Sequence, residues 1–147
     1  MTLRQIANQL SSPVTQEHSM GCGLACVAFI VGKTYQTVWK KVPTKSFAWT
    51  RGYYCKELVA LLSKFGASYE WKKVSAKFSV ETCPIGTIVF LKPNTKYPMG
   101  HFMVKVGRFR YMNPWKNFPI IIPAKSGFVT LREEISYVIE PEILSSK

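Results

Sequence analysis

The ten residues from Cys22 to Val31 constrain this chain most. They predict a helix that Leu24, Cys26, Val27, Phe29, Ile30 and Val31 surround with hydrophobic side chains, ending near Gly32. A helix without a polar face has to be buried, so the remaining chain must wrap around it. At 147 residues the protein fits a single domain, 1–147, long enough to bury a core of that kind.

The segments around this helix follow two periods. Met1–Leu10 alternates apolar with polar residues and is broken at Ser11-Ser12-Pro13. A second helix is predicted over Thr37–Lys41 and a third from Tyr54 to Phe65, closed by Gly66, with Leu58, Val59, Leu61, Leu62 and Phe65 on its apolar face. From Ala67 the pattern changes to strands: Ser68–Val74, Gly86–Leu91, Phe102–Val106 and Phe109–Met112, with an exposed loop at Pro93–Pro98 and a tight turn at Gly107-Arg108. Helices first and strands afterwards predict an α+β domain, helices packed on an antiparallel sheet.

Hydrophobic residues make up 47% and aromatics 14%, the composition of a packed globule. No apolar run is long enough to span a bilayer, and Met1–Leu10 has no signal-peptide core, so the expected setting is cytoplasmic, or one reached through a delivery system outside this chain. The four cysteines fit neither zinc-ribbon nor C-x-x-C spacing; free thiols, no metal and no cofactor are expected. The net charge of +12 favours anionic partners, yet it is spread along the chain without a nucleic-acid motif, which makes nucleic acid the less favoured partner.

Chemistry concentrates at Gly21-Cys22-Gly23. Backbone N–H groups at a helix start lack intrahelical partners and carry partial positive charge, which promotes ionisation of a thiol placed there. Flanking glycines are expected to open the sulfur to a substrate backbone. Cysteine catalysis also needs a base, a group that orients it, and donors for the oxyanion. His101 at a strand start supplies the base, Asn113 one strand later the orienting group, and Gln16 six residues before the cysteine the oxyanion donor. A turn centred on Gly107 pairs His101 with Asn113. Cys26 is expected in the core and serves as the control thiol; His18 reads as a loop residue near the nucleophile, and Trp115 as packing that shields the His101–Asn113 bond.

With these residues in view, the chain resembles the C39-type peptidases, papain-like cysteine protease domains found on bacteriocin-exporting transporters. The resemblance lies in Gln16-Glu17-His18, Cys22-Gly23-Leu24-Ala25-Cys26, Gly100-His101-Phe102-Met103-Val104 and Asn113-Pro114. It implies a papain-like fold, Cys22 as nucleophile, His101 as its partner, Asn113 as orienting residue and Gln16 as oxyanion donor. Two positions depart from the family pattern: Asn113 stands where Asp is usual, and Gly21 where an acidic residue is usual.

The expected activity is hydrolysis of a peptide bond through a Cys22 thioester, with a peptide or protein substrate and an inhibitor or immunity protein as a further partner. Two rivals share the sequence. The same thioester can serve transamidation or deamidation by an effector or toxin, or the fold can be a basic binding module with its chemistry unused.

Overall fold

The computed structural model describes residues 4–6, 10, 12–75, 77–130 and 134–142. Residues 1–3, 7–9 and 11, part of the N-terminal amphipathic stretch and of its Ser11 break, lie outside the described residues. Among the described residues, beyond a helical turn at 4–6, four helices come first: α1 (Cys22–Val31), α2 (Tyr35–Trp39), α3 (Phe47–Thr50) and α4 (Cys55–Lys64). Six strands follow: β1 (Tyr69–Lys73), β2 (Ile88–Leu91), β3 (His101–Gly107), β4 (Arg110–Asn113), β5 (Gly127–Thr130) and β6 (Ile135–Pro141), in one antiparallel sheet of order β1-β6-β2-β3-β4-β5. The architecture is the α+β arrangement that the sequence predicts.

Helix α1 is the hub. Gly23 to Val31 are all buried, and the helix stops where Gly32 adopts φ 68°, its N–H bonded to Ala28 O. Alternate sheet residues Ile88, Phe102, Val104, Met112 and Ile139 join α1 and the buried face of α4 in one core. Each fully buried large aliphatic there contributes about 1.5–3 kcal/mol, which overrides the weak helix propensity of its β-branched residues.

The opposite sheet face carries a second core of Val89, Leu91, Met103, Tyr111 and Val138, roofed by Cys83 and Tyr97. Lys105 points into this roof. Its ammonium, buried, donates to the carbonyls of Val80 at 2.8 Å, Glu81 at 3.2 Å and Cys83 at 2.7 Å, pinning the 80–83 turn over the sheet. A buried lysine is tolerated because all three donors find acceptors.

The sheet departs from expectation at three places. Strands β5 and β6 are absent from the sequence reading, and β6 inserts between β1 and β2. The β3–β4 turn is not centred on Gly107: Val104 faces Met112, a bulge falls between Lys105 and Gly107, and Phe109 takes φ 58°. Lastly, the 93–98 loop is not wholly exposed, because Tyr97 is buried. Among the described residues no helix is long and apolar enough to cross a membrane.

Candidate active site

Cys22 is the first residue of α1 and is half-buried. Gly21 before it makes no side-chain cap, and the helix ladder begins with Ala25 N–H donating to Gly21 O at 3.1 Å. The N–H groups of the preceding residues of the helix therefore have no intrahelical acceptor. Those of Cys22 and Gly23, together with the N–H of Phe102 on β3, lie at the Cys22 sulfur and favour the thiolate. Burial outweighs them and pushes the thiol above its ordinary value. This corrects the expectation of an easily ionised thiol: the helix start helps, but desolvation is the larger effect.

The flanking glycines also do something other than expected. A side chain on Gly21 would collide with the Tyr35 hydroxyl, and one on Gly23 would meet Leu58 at 2.8 Å and Phe102 at 3.3 Å. Both glycines make room for protein packed against the cysteine loop, rather than for a substrate.

His101 opens β3, and Gly100 before it has φ 80° with Phe90 and Leu91 where a side chain would go, a conformation and a space that only glycine suits. The imidazole is buried, with Nε2 2.7 Å from Asn113 Oδ1. Two further contacts orient the Asn113 amide. Trp115 N–H can only donate, and it donates to Oδ1 at 3.0 Å; Asn113 Nδ2 then donates to the Tyr97 hydroxyl at 3.0 Å, which donates onward to Trp115 O at 3.0 Å. Oδ1 is thus an acceptor, the proton sits on His101 Nε2, and Nδ1 keeps its lone pair whenever the ring is neutral. Burial first, and Lys96 to a lesser degree, lower the imidazole to about 4 against the opposing bond from Asn113. Both shifts favour the uncharged forms, the thiol at Cys22 and the neutral imidazole at His101.

Gln16 is buried on the segment leading to the cysteine, its backbone N–H on Pro114 O at 3.3 Å, next to Asn113. Its Nε2 donates to His18 O at 3.0 Å and to Ser19 O at 3.2 Å, which braces the turn before Cys22; Oε1 is buried with no hydrogen-bond partner among the described residues. His18 Nδ1 is 3.0 Å from the Tyr35 hydroxyl, and its ring packs among Tyr35, Trp39 and Trp49 at 4.8–5.5 Å. Cys26 is fully buried in the core, and all four cysteines are free thiols. Trp115 is buried beside Asn113.

Two residues escaped sequence reasoning. Tyr97 stacks on His101 and anchors Asn113; its only signal is Asn94 three residues earlier, whose Oδ1 accepts from Lys96 N–H and Tyr97 N–H at 2.9 Å and turns the ring inward. Tyr35 is the other, lying over Gly21 from a different helix, and no local pattern announces it.

A groove of about 630 Å³ opens beside the sulfur. Its walls include Met20, Tyr53, Trp71, Met99, Phe102 and Tyr137, and it reaches Cys22 and Gly100. Arg51 also lines it, but its guanidinium forks onto Glu57 at 2.9 and 2.7 Å and lies over the Phe47 and Tyr54 rings, so this wall is neutralised.

Fold and site together describe an α+β domain with a half-buried cysteine at a helix start and a buried His–Asn pair at the adjoining sheet. No family model matches the chain, and no curated protein does. A solved structure described as "The crystal structure of Ly7917 with the hydrolyzing product of MDP" aligns with 96% of this chain and 63% of its own, at 20% identity and a TM-score of 0.41. The chain spans less than two thirds of that protein, and a likeness of this degree carries nothing about substrate or mechanism here.

Proposed function

We propose that this chain is a cysteine peptidase resembling the C39 type, with Cys22 as nucleophile, His101 as acid and base, Asn113 as orienting residue and Gln16 as oxyanion donor. The observation that carries the reading is the tautomer: Nε2–H is committed to Asn113 Oδ1, which leaves Nδ1 as the proton acceptor. That arrangement matches what a thiol nucleophile needs from its base.

The cycle runs from the neutral pair. As Cys22 sulfur bonds to the substrate carbonyl carbon, the thiol proton passes to His101 Nδ1 and the carbonyl π electrons move to oxygen. The oxyanion takes hydrogen bonds from Cys22 N–H and from Gln16 Nε2, whose longer bond to Ser19 O is the one exchanged. Collapse breaks the carbon–nitrogen bond while Nδ1–H protonates the leaving amine. Water then gives a proton to Nδ1 and attacks the thioester, releasing the acid and restoring the thiol. The apolar groove beside Cys22 favours peptides with large apolar side chains next to the cleaved bond.

The test pairs iodoacetamide mapping with a peptide library read by mass spectrometry. Preferential labelling of Cys22 over Cys26, Cys55 and Cys83, slowed by His101→Ala, together with cleavage next to large apolar residues, is the expected result. Ammonia release from glutamine without backbone cleavage would move the reading to deamidation. Cys22 labelling no faster than the buried thiols, with no product, would overturn it.

A further inference from the structure

The connection between β4 and β5 displays three consecutive isoleucines to solvent. Ile120, Ile121 and Ile122 are 57%, 70% and 90% exposed and are bracketed by Pro119 and Pro123. Exposed aliphatic side chains occur singly on most surfaces; three in a row on one tip call for a partner.

The tip is built rather than loose. Trp115 Nε1–H donates to Ile120 O at 2.8 Å, Ile120 N–H to Asn117 O at 2.9 Å, and Asn117 Nδ2 to Pro123 O at 2.9 Å. Lys125 N–H closes the base on Asn117 Oδ1 at 2.8 Å, and Lys116 N–H does so on Lys125 O at 2.8 Å. Phe118 turns inward against Trp115 and Tyr97. The loop buries its aromatic residues and presents its aliphatic ones.

The charged side chains on the loop itself, and the one that reaches across to it, are all lysines. Lys116 and Lys125 are exposed at its base, and Lys96, also exposed, reaches across to Lys116 O at 3.1 Å. No Asp or Glu occurs in the sequence between Glu81 and Glu133. A protein-binding hot spot favours Trp, Tyr and Arg in a desolvated pocket, whereas a convex aliphatic tip collared by lysines matches the apolar-plus-cationic chemistry of an anionic lipid surface.

We propose that Ile120–Ile122 insert into the head-group and upper acyl region of an anionic lipid bilayer, with Lys116, Lys125 and Lys96 on the lipid phosphates. This turns the β4–β5 side of the domain, under which Asn113 and Trp115 are buried, toward the bilayer and holds whatever the site acts on near the membrane. The inference does not depend on the proposed peptidase activity.

The experiment is co-sedimentation of the full chain with vesicles of phosphatidylcholine alone and of phosphatidylcholine with phosphatidylglycerol in equal parts. The chain is expected to sediment with the anionic vesicles, and less as salt rises. Ile121→Ser/Ile122→Ser is expected to lower partitioning by at least about tenfold, because burying one isoleucine is worth that much. Lys125→Glu is expected to lower it by about fivefold or more, and Lys73→Glu, on β1 at the far edge of the sheet, to leave it unchanged. Circular dichroism confirms folding of each variant. Undiminished binding by the isoleucine pair, or equal loss in Lys73→Glu, would reduce the effect to net charge and overturn the proposal. So would failure to bind vesicles while the wild type dimerises through the tip, seen as a monomer in the isoleucine variant.

Discussion

The imidazole of His101 lies flat on the phenol ring of Tyr97, with ring centroids 4.0 Å apart and planes parallel. Stacking holds the imidazole plane, and the Tyr97 hydroxyl, bonded to both Asn113 Nδ2 and Trp115 O, holds the amide that holds the imidazole edge. One tyrosine therefore constrains the histidine from two directions, through its face and through its partner.

This coupling orders the effects of substitution. Asn113→Ala removes the acceptor for Nε2–H and frees the tautomer; kcat is expected to fall by about two to three orders of magnitude. Tyr97→Phe keeps the stack but leaves Asn113 Nδ2 without its acceptor and Trp115 O with the Phe118 N–H at 3.3 Å as its remaining donor, at a stability cost of about 1–3 kcal/mol and a smaller loss of kcat. Steady-state kinetics beside urea unfolding of both variants checks the order; a larger kcat loss in Tyr97→Phe than in Asn113→Ala would contradict it.

The burial of His101 makes both activity and stability depend on pH. With its pKa lowered to about 4, the ring is neutral above that value and able to accept a proton, so kcat/KM should show an acid limb near pH 4. The stability sign follows from linkage. A lowered histidine pKa means that the unfolded chain binds more protons between about 4 and the ordinary 6.5. The contribution is complete above 6.5 and is lost as pH falls through 4, about 3 kcal/mol in all. Urea titrations across this window should show a loss in the wild type that His101→Gln lacks.

Asn113→Asp introduces the residue usual in the C39 pattern and tests the electrostatics separately from the geometry. Trp115 N–H still has its acceptor, and the Tyr97 hydroxyl can turn to donate to the new carboxylate. A negative charge at Nε2 favours the imidazolium, so the acid limb should move upward by about one pH unit while turnover persists. An unmoved limb would mean that His101 is not the group titrating there.

The nucleophile assignment is checked against its neighbour one turn along. Cys22→Ala should abolish turnover with the fold intact, since the residue is only half-buried. Cys26→Ala should retain turnover and lose about 1 kcal/mol of stability, the effect of a small core truncation. The reverse pattern would identify Cys26 as the reactive thiol.

Gly21→Ala should destabilise the fold by about 1–3 kcal/mol, because the new methyl group meets the Tyr35 hydroxyl that fills the space beside Gly21. Adding Tyr35→Phe should recover part of that loss, since the hydroxyl is the obstructing atom. Additive losses in the double variant, followed by thermal unfolding, would show that the two positions do not touch.

Much of this site was legible in the chain because its parts are local signals. An all-apolar run between glycines predicts a buried helix, which puts Cys22 at a helix start, and a histidine at the head of a short, mostly apolar run with valines predicts the opening of a strand. Each reading needs only the period of the side chains and the chemistry of glycine. Strands β5 and β6 were not read: they follow a loop of prolines and isoleucines, and β6 takes its place between β1 and β2 through pairings more than forty residues distant along the chain. The ionisation of Cys22 was read the wrong way for a similar reason. The helix-start N–H groups are local, whereas the residues packed about the cysteine loop, Tyr35, Leu58 and Phe102, come from other helices and from the sheet.

The sequence by itself determined that helices precede strands, the central helix, the candidate site residues and the excess of positive charge, because each is carried by neighbouring residues or by composition. Tertiary structure alone decided the atoms that meet. It put Tyr97 flat on His101, the Tyr35 hydroxyl over Gly21, Lys105 under three carbonyls and three isoleucines on one braced tip. Those contacts join segments far apart in sequence, and only the closing of two apolar cores on the faces of one sheet brings them together.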